Sequence, residues 1–129
     1  MALTVGLKGV FIRTVKPEDT AHAQGNPGVH VLSTPTLTLF CEMAAHDAVE
    51  HHFEPDQSTV GIHNDFWHLA ATPVGETVRI EAELVEIDRK RLKFAITGRD
   101  ERNPIVRGIH ERFLVNLPEF LSKLPKPKG

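Results

Sequence analysis

Glu42 is the only charged residue in the run Pro35-Thr36-Leu37-Thr38-Leu39-Phe40-Cys41-Glu42-Met43-Ala44-Ala45. At helical spacing, Leu37, Phe40, Cys41, Ala44 and Ala48 share one face. Leu39 and Met43 carry apolar character further round, which predicts a helix covered on most sides. A carboxylate in such a helix must be paired, hydrogen-bonded or neutralised, because burying it bare is costly. Its proton affinity is then open to tuning, as catalytic carboxylates require. The competing reading is a residue that marks the helix edge beside Thr38.

His68 is the second group with chemical reach. It ends a strand expected over Ser58 to Ala70, and strict alternation puts it on one face with Val60, Ile62 and Phe66. His63 then shares the other face with Asp65 and Trp67. An imidazole on the more apolar face invites a partner such as Glu42, although a satisfied core histidine has the same appearance. Gly61, inside the same strand, indicates a bulge or a close backbone approach. Thr34 precedes Pro35 and suits a helix cap. On one continuous helix its Cα would lie about 12 Å from that of Glu42, too far for contact. It therefore acts from a folded-back loop, acts in a partner's site, or only caps. Free amides near Pro35 to Leu37 offer a further anion-binding position.

Arg112 falls on a strand face with Val106, Gly108, His110 and Leu114, opposite the more apolar face. It can pair across strands or bind a phosphate. Arg89-Lys90-Arg91, with Lys93, reads as a solvated hairpin tip. His46 and Glu50 have the i,i+4 spacing of a helical metal site, but no HExxH pattern occurs and no metal is expected. Cys41 reads as a small buried hydrophobe rather than a nucleophile.

These residues need particular elements to hold them. Val5 to Val15 is a first strand, followed by a loop over residues 20–33 that is long enough to have a function. The helix should run from Thr34 to about His52, ahead of Pro55. Val78, Ile80, Ala82 and Leu84 alternate with polar residues, as do Leu92, Phe94 and Ile96 across the turn Asp88-Arg89-Lys90. A last strand places Ile105, Ile109, Phe113, Val115 and Leu117 on one face. Pro118 to Leu124 reads as a short helical tail. One long helix among sequential strands implies an α+β fold, an antiparallel sheet wrapped around that helix. A single helix leaves sheet surface and edges uncovered, so self-association through an edge strand is expected.

The chain has 129 residues, one domain's worth, and a formal charge of −2 that gives no basic field for nucleic acid. A lone cysteine excludes an intramolecular disulfide and suits a reducing compartment. The N-terminal residues lack the charge and apolar run of a secretory signal, and no stretch approaches a membrane span. A cytoplasmic location is expected.

Thr34, Glu42, Gly61-Ile62, His68-Leu69-Ala70-Ala71-Thr72-Pro73, Gly75, Ala82-Glu83-Leu84, Arg91-Leu92 and Gly108-Ile109-His110-Glu111-Arg112 occur in a familiar order and spacing. Over roughly residues 30–117 the chain resembles the hotdog-fold thioesterases, specifically the fluoroacetyl-CoA thioesterase type. The resemblance implies a five- or six-stranded antiparallel sheet around a central helix and a homodimer or tetramer. It also implies active sites between subunits and metal-free hydrolysis of a small or medium acyl-CoA, with no cofactor beyond the coenzyme A of the substrate. The positions matching Thr34, Glu42 and His68 act together in that family, and those matching Gly61 and Arg112 position the substrate. Phenylalanines in the loop before the helix are associated there with fluoroacetyl selectivity. This chain has none between Phe11 and Phe40, and Gly28 stands at the gate position.

Thioester hydrolysis needs a nucleophile or activated water, an acid for the leaving thiolate and donors for the carbonyl oxygen. Glu42 suits the first task, as nucleophile or base, and His68 can orient it or pass a proton. Two rivals keep the same fold. A dehydratase or hydratase would act on enoyl-CoA rather than on saturated acyl-CoA. A non-catalytic acyl or aromatic-ligand binder would be indifferent to Glu42→Ala.

Overall fold

A computed structural model describes residues 3–128; Met1, Ala2 and Gly129 lie outside it. Strand β1 (Lys8–Thr14) is followed by a loop with two short 3-10 turns, then helix α1 (Thr34–Val49). Strands β2 (Gln57–His68), β3 (Thr77–Asp88), β4 (Arg91–Arg99) and β5 (Pro104–Asn116) come next, and a short helix α2 (Leu117–Ser122) follows. The five strands form one antiparallel sheet in the order β1-β3-β4-β5-β2, which leaves β1 and β2 as edges. This is the expected α+β arrangement of an antiparallel sheet around one long helix.

The capping residue of α1 lies one position earlier than expected. Ser33, not Thr34, is the cap: its hydroxyl accepts from the Thr36 amide at 3.1 Å and donates to Gln24. Gln24 also donates to Thr36 Oγ1 at 2.6 Å, tying the loop to the first helical turn. The Leu37 amide is taken by the Ser33 carbonyl, so the amides at 36 and 37 are not free for an anion. The helix ends at Val49 and relaxes through a 3-10 turn, Glu50–His52, before Pro55.

The core lies between α1 and the concave face of the sheet. Leu37, Phe40, Cys41, Ala44, Ala45 and Ala48 pack against Val78, Ile80, Leu84, Leu92, Phe94 and Ile96, all buried as their spacing predicts. Gly9 is where β1 crosses the helix; a Cβ there would lie 2.2 Å from the Ala44 carbonyl oxygen. Only small residues permit that approach.

Three expectations about faces are corrected. Leu39 and Met43 are 55% and 43% exposed, because they lie round the helix beyond Glu42, where no described element covers them. On β5 the helix-facing side carries Val106, His110 and Arg112, whereas Phe113 faces out, so the more apolar side is not the inner one. On β2 a bulge at Ile62 shifts the register: Gly61 pairs with Arg112 and His63 with Glu111. The extra residue reverses the alternation. Asn64, Phe66 and His68 consequently share the inner face with Gly61, and Ile62 is turned out. No described helix is long and apolar enough to cross a membrane.

Candidate active site

The first turn of α1 meets the last residue of β2. Thr34 Oγ1 lies 2.8 Å from His68 Nδ1, so the threonine hydroxyl is used by a side chain rather than by a helix cap. The other imidazole nitrogen, Nε2, is buried with no hydrogen-bond partner among the described residues. Burial pushes the His68 pKa below its ordinary 6.5, opposed in part by the backbone at Ala70, so the ring favours the neutral form. Val31, Thr34, His68, Leu69, Ala70 and Ala71 line an open groove of about 390 Å³. The loop that borders it is fixed by an isolated bridge between Val31 and Pro73 and another between Thr20 and Leu32. Under it, buried Asp19 accepts from Arg13 and from the Lys16 amide.

Glu42 is elsewhere. Two helical turns along α1, it faces the middle of β2 and β5, and within one chain it is not the partner of His68. Asn64 Nδ2 donates to Glu42 Oε2 at 3.1 Å, and Arg112 Nη1 lies 3.6 Å from Oε1. The carboxylate side chain is 33% exposed. Gly61 faces it: an added Cβ would sit 3.1 Å from Glu42 Oε1, 3.3 Å from the His110 ring and 3.5 Å from Arg112 Nη1. Close backbone approach at Gly61 is thus realised, and it clears space before the carboxylate.

Arg112 has only 9% of its surface exposed. Its Nε donates to Thr59 Oγ1 at 2.8 Å, its Nη2 to the Thr59 carbonyl at 3.1 Å, and its Nη1 faces His110 Nε2 at 3.1 Å. These bonds direct the guanidinium into the protein, toward Glu42, rather than outward to a phosphate. Arg91 is likewise engaged, by Glu111, Glu86 and Asp88. Cys41, next to Glu42 in sequence but on the core side, is fully buried. Burial, with the Glu42 charge adding to it, pushes its thiol up to about 12, which makes it inert. His46 and Glu50 pair at 2.9 Å, and Asp47 accepts from the Val10 amide.

The sequence pattern by itself assigns no role to Asn64 or His110. Alternation does put Asn64 on the face of Phe66 and His68, but an asparagine in a strand carries no chemical signal of its own, and His110 is on the less apolar face of β5.

A profile of the fluoroacetyl-CoA-specific thioesterase family matches residues 15–117. The fluoroacetyl-CoA thioesterase of Streptantibioticus cattleyicolor is 30% identical over 113 residues, 88% of this chain and 79% of that protein. A crystal structure of a phenylalanine-to-alanine variant of the fluoroacetyl-CoA-specific thioesterase FlK superposes with a TM-score of 0.87 at 28% identity, covering 95% of this chain and 96% of that one. A thioesterase superfamily member from Thermus thermophilus shares the fold, with a TM-score of 0.88 at 21% identity over 94% and 90% of the two chains. The chain has the hotdog fold and belongs to the fluoroacetyl-CoA-specific thioesterase family.

Proposed function

We propose that this protein hydrolyses the thioester of a small or medium acyl-CoA at a site completed between two copies of the chain. Thr34 and His68 of one copy work with Glu42 of the other. One observation carries the division. Thr34 and His68 touch at 2.8 Å and leave Nε2 buried without a partner, whereas Glu42 faces a different stretch of the same strand. Leu39, Met43, Ile62, Trp67 and Leu69 are exposed around α1 and edge strand β2, a fitting apolar surface for a second copy. Homodimerisation there, or a tetramer built from such dimers, would carry each Glu42 toward the partner's imidazole.

In this reading Glu42 deprotonates the water that attacks the acyl carbon, or attacks it directly to form an anhydride that a second water then opens to free acid and carboxylate. A carbon–oxygen bond forms, the carbon–sulfur bond breaks, and the departing sulfur takes up a proton. His68 orients the reacting groups and passes that proton. Thr34 holds the imidazole and presents its hydroxyl to the groove. Gly61 keeps room for the thioester, and Arg112 positions substrate indirectly, by holding the carboxylate it meets. No step requires a metal, and the coenzyme A is part of the substrate. The single buried cysteine fits a cytoplasmic setting.

The test uses co-expressed Glu42→Gln and His68→Ala chains, assayed with a panel of saturated acyl-CoAs and thiol detection. Each variant alone should be nearly inactive. Mixed dimers carry one site with both native contributions, so the mixture should recover about a quarter of parental activity, as random pairing of a two-fold dimer gives. No recovery, or a fully active monomer by light scattering, would refute the shared site. Turnover of enoyl-CoA without thiol release would favour a hydratase instead.

A further inference from the structure

Glu42, Asn64, His110 and Arg112 close a ring of side chains, and the donors in that ring run in one direction. Arg112 has only donors, so His110 Nε2, 3.1 Å from Nη1, must accept. His110 Nδ1 faces the His63 carbonyl oxygen at 3.1 Å, a group that cannot donate, so Nδ1 carries the proton. The same N–H meets the Asn64 side chain, which must turn its oxygen to it. The Asn64 amide group is then left facing Glu42 Oε2, at 3.1 Å. The ring begins at a buried cation and ends at a carboxylate open to solvent.

We propose that Asn64 and His110 are positioning residues that hold the Glu42 carboxylate in one orientation, with His110 acting through Asn64. The proposal rests on the reading of Glu42 as the reacting group. Asn64 occupies Oε2. Oε1 looks into the space that Gly61 leaves empty and, among the described residues, is flanked by Arg112 at 3.6 Å. Oε1 is therefore the oxygen that meets water or the acyl carbon. His110 is fully buried, with its centroid 6.2 Å from that of Phe94 and 6.4 Å from that of Phe66, so it cannot turn away. Burial keeps it neutral; Glu42 and Glu111 oppose that, and Arg112 reinforces it. A protonated His110 would point an N–H at Arg112 and break the sequence of donors. Among the described residues, the titratable groups whose charge interacts with Glu42 include Arg112 and His110 from β5 and the inert Cys41 thiol from α1, and β2 offers the neutral amide of Asn64.

The decisive variant is Asn64→Asp, at an exposed position where the change is nearly isosteric. It sets a second carboxylate against Glu42, which raises the pKa of the pair. The acid limb of kcat should move up by ~1 pH unit or more, with kcat at neutral pH down at least ~10-fold and KM within ~3-fold. The Glu42 carboxyl, followed by carbon NMR, should titrate correspondingly higher. His110→Gln should lower kcat in the same sense, while Asp65→Asn, on the outward face, should leave the profile unchanged. A folded Asn64→Asp protein with the parental acid limb, kcat and Glu42 titration would overturn the proposal even if His110→Gln fails to fold. If Glu42→Gln keeps full turnover, the catalytic reading fails instead, and the NMR titration still decides whether the ring tunes Glu42.

Discussion

Thr34 Oγ1 and His68 Nδ1 meet at 2.8 Å where the first turn of α1 crosses the end of β2, and Glu42 is two turns away on the same helix. Thr34→Ser keeps the hydroxyl and should retain most activity. Thr34→Ala should lower kcat by ~10-fold or more by releasing the imidazole. Glu42→Gln preserves shape and hydrogen bonding but removes the charge, and should reduce hydrolysis at least ~10²-fold, the lower end for a lost general base. Thiol-release assays on folded variants check both. Unchanged turnover in Glu42→Gln would remove Glu42 from the mechanism.

His68 and His110 both have pKa values pushed below the ordinary 6.5, chiefly by burial. The unfolded chain therefore binds more protons than the folded one in the interval below 6.5, and stability rises with pH there. Their contribution is complete above 6.5 and is lost as pH falls through the depressed folded values. For fully buried His110 the loss approaches about 1.4 kcal/mol per pH unit. Tm should drop between pH 7 and pH 5, and His110→Gln should flatten that slope. An equal slope in the two proteins, measured by scanning calorimetry, would contradict the assignment.

Gly9 is needed for packing rather than for chemistry. A Cβ would stand 2.2 Å from the Ala44 carbonyl oxygen and 2.4 Å from the Ala48 amide nitrogen, both backbone atoms of α1. Neither can yield without separating strand from helix. Gly9→Ala should cost about 3 kcal/mol, the upper end of an overpacked core. Urea denaturation would measure it, and a loss below ~1 kcal/mol would mean that β1 has room to move.

The loop before α1 carries no phenylalanine, and Gly28 within it has a positive φ of 88°. The His22 and His30 rings meet there instead in a tilted pair, with centroids 4.0 Å apart. A loop without an aromatic gate should admit larger acyl groups and exclude water less well. Fluorine for hydrogen is a small difference for a simple pocket to resolve. The expected result is loss of most preference for fluoroacetyl- over acetyl-CoA, compared through kcat/KM alongside medium-chain and aryl-acyl-CoA. A preference of ~10³-fold, equal to about 4 kcal/mol, would reveal another element in place of the gate.

Local information was enough to read the elements from the sequence. Alternation in Val78 to Leu84 and in Leu92 to Ile96 marks the central strands because one side of each faces α1 and the other faces water. The helix and its limits followed from Pro35, the apolar spacing and Pro55. The motif carrying Thr34, Glu42, His68, Gly61 and Arg112 identified the family, since residue types and spacing survive in the chain itself. Which of these residues meet was a tertiary matter. The bulge at Ile62 puts Thr59 and Gly61, rather than Val60 and Ile62, on the inner face with Asn64, Phe66 and His68, and a single inserted residue leaves no periodic trace in the sequence. The inner face of β5 is polar where it carries His110 and Arg112, so hydrophobicity pointed to the wrong side. Hydrogen-bond demand overrode it: a guanidinium and an imidazole can be buried when Thr59, Asn64 and Glu42, brought from β2 and α1, complete their bonds. Those partners lie far apart along the chain, and only folding brings them within reach.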